Sequence, residues 1–352
     1  MRRAGSDSRQ RAAAATAGLA AAALFGASAP LAKLLIPGTG PLMLAGLLYL
    51  GAGAGLWALS PLRRKDAEAP LRVSDVPTLT GIIVAGGLAG PVLLVLGLSR
   101  LSGVSASLLL NLEAPFTIAL AVLAFGDHLT RGEGLGAGAI MLGAAALAWA
   151  PGATRLDAGG IAAVAGACAA WALDNNLSQR LALRDPVAVA KAKTLVAGLV
   201  NTAIGLAIGE HVPPARHAAA ALAVGFGGYG VSIVLHLLAV RGMGAARQAA
   251  IFATAPFIGA MVAVPVLREH LGARDLGAGA VIAAGIAVLL RASHEHLHVH
   301  EALEHEHAHV HDDHHRHEHA GQAADPHSHP HGHPPLMHDH PHLPDVHHRH
   351  GH

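Results

Sequence analysis

The chain is written twice. Ala114-Pro115-Phe116 returns as Ala255-Pro256-Phe257, Asp127-His128-Leu129 as Glu269-His270-Leu271, and LGAGA stands at 135–139 and again at 276–280. Arg100 and Arg241 keep the same spacing. The separation is constant to within a single position at every match, so these are marks of one repeat. Ten apolar stretches run through the two copies, near 13–35, 41–60, 78–98, 103–125, 133–150, 158–179, 187–208, 218–239, 245–266 and 274–291. Each is about 18–23 residues, long enough to cross a bilayer. Five crossings per copy is an odd number, so the second copy enters the membrane upside down. The predicted fold is an all-α integral membrane protein with ten transmembrane helices in two inverted five-helix repeats, 13–150 and 151–291. A short cytoplasmic N-terminus, 1–12, precedes them, and a disordered His-rich tail, 292–352, follows.

Composition agrees with a lipid-embedded body. Only 13% of residues are charged and 52% are hydrophobic, where soluble domains carry about 25% charged residues. The 42 glycines suit helices that pack backbone to backbone in lipid. The first stretch follows an Arg-rich N-terminus and resembles a signal peptide, but nine further spans favour a retained signal-anchor. Lys and Arg concentrate on one set of loops, above all at Arg63-Arg64-Lys65. The positive-inside rule then places both termini in the cytoplasm and the protein, multi-pass, in the cytoplasmic membrane. One cysteine, Cys168, excludes an internal disulfide and a cysteine-based metal site. No P-loop, HExxH or GxSxG motif appears, so neither ATP-driven transport nor hydrolysis is indicated, and the chain is not expected to be an enzyme.

Inverted repeats characterise secondary transporters, whose substrate sites lie near the midplane between halves. The stretches VSASLLLNLEAPFTIALAVLAFGDHLTRGEGLGAGAIMLG and AARQAAIFATAPFIGAMVAVPVLREHLGARDLGAGAVIAAG each hold a small-residue run and a mid-helix proline, then an acidic helix end and a Gly-rich last helix. In these features the body, residues 13–291, resembles the drug/metabolite transporter superfamily in its EamA-type two-domain form. The resemblance implies ten transmembrane helices and coupled export or uptake of small metabolites. Members of that family often carry a basic residue early in the second helix of a repeat. The second copy has Lys193, but the first offers Gly46.

Charged groups inside a membrane cost roughly 2.5–3.5 kcal/mol on insertion scales and so mark candidate sites. Asp174, beside Asn175 and Asn176, lies ~9 Å inside the cytoplasmic end of the sixth span, and Lys193 ~12 Å inside the same end of the seventh, at 1.5 Å per residue. The two stand at similar depth and are expected to pair, either as a bond that substrate or a proton breaks or as a static pair that discharges two buried groups. Asn111, Glu113 and Pro115 form a second candidate in the fourth span. Pro115 removes a helix hydrogen bond and frees carbonyls that can line a cavity, and its repeat partner is Pro256. A carboxyl at the depth of Glu113 suits a proton carrier; a structural acid bonded to a neighbouring helix is the plainer alternative. Lys33 and Lys191 read as snorkelling side chains, His236 as a hydrogen-bonded structural histidine, and Arg100 and Arg241 as anchors. Gly51-x-Gly53-x-Gly55 reads as close helix packing ahead of a dimer seam, although a homodimer stays open.

Of 28 histidines, 23 lie beyond Arg291. They alternate: His294, His296, His298 and His300, then His305, His307, His309 and His311, then His327, His329, His331 and His333. With ten acids against two arginines the tail carries −8, while the body carries +9. Imidazole ligates Ni, Co, Zn and Cu, so a divalent metal on the tail is expected although no cofactor is required. Three functions stay open: a metabolite transporter with a regulatory metal-binding tail, a Ni/Co/Zn transporter whose tail collects its cargo, and a membrane-tethered metal buffer or sensor. The expected partners are a small-molecule or metal substrate and the lipid bilayer, with no nucleic acid.

Overall fold

A computed structural model describes residues 2–60, 69–125, 129–149, 157–181, 184–243, 245–291, 297–300, 303–309, 327–333 and 336–339. Eight helical segments are long and apolar enough by themselves to cross a membrane: Ala12–Leu35, Pro41–Leu59, Val73–Arg100, Gly103–Ala124, Pro186–Ala207, Ala215–Val240, Arg247–Leu267 and Ala273–Arg291. We number them spans 1 to 4 and 7 to 10. Arg131–Ala148 and Ala158–Ser178 are spans 5 and 6. These two are less apolar because Arg131 and Glu133 open one and Asp174-Asn175-Asn176 lie within the other. The ten-span, all-helical membrane body is the predicted one.

The packing is two-fold. Span 2 lies along span 7 and span 5 along span 10. Span 1 packs on spans 8 and 9 of the other copy, and span 6 packs on spans 3 and 4. Exchange each span for its repeat partner and these contacts map onto themselves. Glycine makes the crossings close. A Cβ on Gly136 would stand 2.8 Å from the Gly285 carbonyl, and one on Gly285 2.8 Å from the Gly136 carbonyl. The Gly51-x-Gly53-x-Gly55 run is used within the chain: added Cβ atoms there would strike the Leu222 carbonyl, the Leu195 side chain and the Phe226 ring. Those three positions face spans 7 and 8, so this run is an internal crossing.

Two loop faces result. On the first-loop face, that of residues 36–40, the Glu210 carboxylate accepts from the Leu42 and Met43 amides and caps span 2. Arg100 meets Asp157 there at 3.4 Å, both about half exposed, an anchor worth little in energy. The Gly160 amide, and with it the Arg100 guanidinium, holds the Asp157 carboxyl below its ordinary range. On the second-loop face, that of residues 60–72, Arg184 grips Asp75 with bonds of 2.8 and 3.3 Å, and the Asp185 amide donates to Ala69 at 2.8 Å.

Four spans depart from regular helix, in matched pairs. Span 3 contains a π-helical stretch, Ile83–Ala89, and span 8 contains another, Phe226–Val231. Each includes a Gly-Gly pair, Gly86-Gly87 and Gly227-Gly228, and the two pairs stand at the repeat spacing. Span 4 tightens to a 3-10 turn over Leu110–Leu112, just before Pro115, and span 9 breaks between Phe252 and Ala255, just before Pro256. A proline cannot donate to the preceding turn, so both breaks follow from the sequence.

Most residues beyond 291 lie outside the described ones. Four strands are present among the described residues: β1 Leu297–His300, β2 Leu303–His309, β3 His327–His333 and β4 Leu336–Asp339. β1 pairs with β4 and β2 with β3, both antiparallel. The cause lies in the spacing, because His-x-His repeats with period two, the period of a strand. His294, His296 and His311 lie outside the described residues.

Candidate transport site

Aromatic residues are only 3% of this chain, and four of them gather at one place. Phe25, Trp171 and Tyr229 line a narrow cavity between the repeats, together with Ser28, Ser107 and Pro256. Tyr49 stands behind Tyr229 with ring centroids 5.7 Å apart, and Phe25 meets Tyr229 edge-on at 5.8 Å. Both copies therefore build the wall: spans 1, 3 and 4 from the first, spans 6, 8 and 9 from the second. The space takes no more than a water-sized guest. Besides the Tyr229 hydroxyl and the Trp171 indole N–H, its lining carries two serine hydroxyls. Ser28 donates to the Phe25 carbonyl at 2.6 Å, while the buried Ser107 hydroxyl has no hydrogen-bond partner.

The π-helical stretch of span 3 explains how the aromatics are held. A π insertion disturbs the regular ladder and leaves carbonyls for other donors. The Gly86 carbonyl accepts from the Tyr49 hydroxyl at 2.8 Å and from Trp171 Nε1 at 3.1 Å. The Gly87 carbonyl accepts from Asn201 Nδ2 at 3.2 Å. Each donor buries a polar group only because that carbonyl is there to meet it. The break in span 4 does the same on a smaller scale. Asn111 Nδ2 donates to the Leu108 carbonyl at 2.9 Å, and Cys168 Sγ lies 3.7 Å from the carbonyls of Leu109 and Leu110.

One turn along span 6 from Trp171, toward the second-loop face, stand the charged groups. Lys193 Nζ donates to Asp174 Oδ2 at 2.7 Å, and Ser178 donates to the other carboxylate oxygen at 3.2 Å. The Asp174 side chain is 5% exposed and that of Lys193 19%. Asn175 Nδ2 donates to Glu113 Oε1 at 2.7 Å, joining span 6 to span 4. Asn176 donates to the carbonyls of Thr117 and Ala172 and is buried. Asn175 is exposed and lies four residues from Trp171, on the same helix face.

The structure thus brings Asp174 to Lys193 and Glu113 to Asn175, and sets Pro256 in the cavity wall. Pro115 is buried in span 4, and Asn111 bonds within its own helix. Sequence reasoning passed over Ser28, Ser107, Phe25, Tyr49 and Tyr229. The readable signal was that both tyrosines of the chain fall in spans that pack together. Lys33 departs from the snorkelling expected of it: its ammonium donates to the Leu98 carbonyl at 2.6 Å and also to that of Leu101. Lys191 reaches the Ser60 hydroxyl at 3.4 Å, and His236 pairs with Gln248 at 3.1 Å as a structural histidine.

Comparison with known proteins places this geometry. A transporter of Methanothermobacter thermautotrophicus (strain Delta H), itself described as uncharacterized, is 30% identical over 293 residues, 77% of this chain and 84% of that protein. A crystal structure aligns with a TM-score of 0.57 and 20% identity, covering 79% of this chain and 96% of the other, and shares the fold. The model of the EamA-like transporter family matches twice, at residues 12–149 and 158–291. Two matched repeats, ten spans and a cavity built from both halves make this chain a multi-pass membrane protein of the EamA-like transporter family.

Proposed function

We propose that the chain is a secondary transporter of a small polar metabolite, which passes through the cavity at the repeat interface and engages the Asp174–Lys193 pair. One observation carries the reading: a buried ion pair, closed at 2.7 Å, stands one helical turn from a narrow cavity lined by both repeats. Opposite charges that hold each other can instead hold the charges of a substrate, and each exchange opens or closes the path. Glu113 is the proton carrier in this reading, with Asn175 as its partner. Lys and Arg density puts the second-loop face, both termini and the tail in the cytoplasm. The tail is a regulatory element that takes a divalent metal, Ni, Co, Zn or Cu. The register supports that assignment by setting His305 opposite His331, His307 opposite His329 and His309 opposite His327.

Among the described residues no three His, Cys, Asp or Glu gather where they would hold a metal ion, which leaves a metal-cargo route through the body without support. The deciding experiment is flux into proteoliposomes, comparing labelled Ni, Co and Zn with a panel of small metabolites, in full-length protein and in protein ending at residue 291. A metabolite should be carried by both forms, with added metal changing the rate only when the tail is present. Uptake of the metals that needs the tail, with no metabolite moved, would replace this reading with the metal-transport one.

Glu113→Gln provides a separate check. The amide keeps the bond to Asn175 in shape and removes the titrating proton. Folding should be retained, by thermal melting in detergent, and the dependence of flux on pH should flatten. A pH profile identical to that of the parent would leave Glu113 a structural acid.

A further inference from the structure

Buried side chains close the cavity toward the first-loop face. Between it and the first-loop face lie Ala29, Ala32, Leu98, Leu101 and Val104, all buried. Toward the other face stand the buried Asp174 and Asn176. The first-loop side turns on Leu101-Ser102, the two residues that join span 3 to span 4, and two charged side chains from other spans grip that turn from opposite sides. Lys33 of span 1 donates to the carbonyls of Leu98 and Leu101, the last acceptors of span 3. Glu269, just after span 9, accepts from the amides of Gly103 at 2.7 Å and Val104 at 2.9 Å, the first donors of span 4. The cation meets a helix C-terminus and the anion a helix N-terminus, the favourable pairing in both cases. Lys33 is five residues beyond Ser28, about 7.5 Å along the helix from the cavity wall. It also holds the position in the first repeat that Asp174 holds in the second, one repeat spacing further on. An inverted repeat puts such a pair at equal depths from opposite faces.

We propose that Lys33 and Glu269 form the gate of the first-loop face, clamping the turn between spans 3 and 4 over the cavity, so that access from that face requires both to release it. The clamp is made of contacts that exist only while that face is closed. Removing either side chain therefore favours the open arrangement, and the populations shift by as much as the lost contact distinguished them. Both ties join charged groups to backbone, so each loss should change the closed-to-open ratio by about tenfold or more.

The proposal rests on the transport reading for its purpose, but its test needs no substrate and can fail while that reading stands. Cys168 is replaced by Ser, and Ser28, in the cavity wall, by Cys. A small charged thiol reagent is applied from the first-loop side of oriented vesicles, with Gly38→Cys marking that side. Lys33→Met and Glu269→Gln should each raise the labelling rate at position 28 by about tenfold or more. Lys33→Arg, which keeps the cation, should hold it near the parent rate. Monodisperse variants that melt at a lower temperature but label no faster from this side would show the two residues to be structural ties only and overturn the gate. Equal acceleration from both sides would overturn it as well, because general loosening has no sidedness. If Ser28→Cys disturbs folding, Ser107→Cys reports on the same cavity.

Discussion

Lys193→Met should damage this protein more than Asp174→Asn. Removing one member of a buried ion pair leaves the other uncompensated, typically at a cost of about 3–5 kcal/mol. Exposure decides which loss is worse. Without Lys193, the carboxylate of Asp174 remains in a pocket where it is 5% exposed, with the Ser178 hydroxyl as its other hydrogen-bond partner. Without the carboxylate, the Lys193 side chain remains 19% exposed, closer to water than the carboxylate was. Flux should be abolished in both. Thermal melting in detergent should fall furthest for Lys193→Met, and the double variant should melt above it, because no unpaired charge is left. Additive losses in the double variant would mean that the contact contributes nothing to either property.

Gly225→Val and Gly51→Leu should prevent the protein from folding at all. Spans 2 and 8 cross so closely that a Cβ on Gly225 would fall on the Leu48 carbonyl, and one on Gly51 on the Leu222 carbonyl. The obstruction is backbone on backbone, and no rotamer change relieves it. Overpacking costs about 1–3 kcal/mol where side chains can move and more where they cannot. Gly138, in span 5, has nothing within 4 Å of its added Cβ and provides the control. Gly138→Ala should give the parent's yield of monodisperse protein and melt no lower, since alanine is the better helix former. Equal yields from Gly225→Val and the parent would show that the crossing is looser than described.

How much of this was legible in the chain depends on the kind of signal. Long apolar runs and the constant repeat spacing record the lipid and the duplication directly, so span number and inverted topology are readable. Asp174 and Lys193 stand out because charge is scarce in a span and helical rise fixes depth. Serine and tyrosine carry no such mark. Ser107 has the same look as Ser105, yet Ser107 Oγ faces the cavity unbonded and Ser105 lies at the capped start of span 4. The π-helical stretches were half-written, as two Gly-Gly pairs at the repeat spacing, but glycine pairs are common in packed membrane helices and do not themselves specify a π turn. Lys33 was misread for a similar reason. A lysine near a helix end ordinarily finds water, and only the turn at 101–102 offers it carbonyls instead.

The exchange of spans 1 and 6 between the halves has a consequence for how the protein is made. Neither repeat is a module that can finish itself. Span 1 leaves the ribosome first, yet its neighbours are spans 8 and 9, so it waits in lipid while most of the body is synthesised. Span 5 opens with Arg131 and Glu133 and is matched to span 10, the last to appear. Span 5, one of the two less apolar helices, is therefore held in the bilayer by a partner that arrives late, and a truncated first half would expose to lipid the surfaces meant for the second. Duplication gave this chain two similar halves, and the interlock then made each an obligate chaperone for the other's insertion.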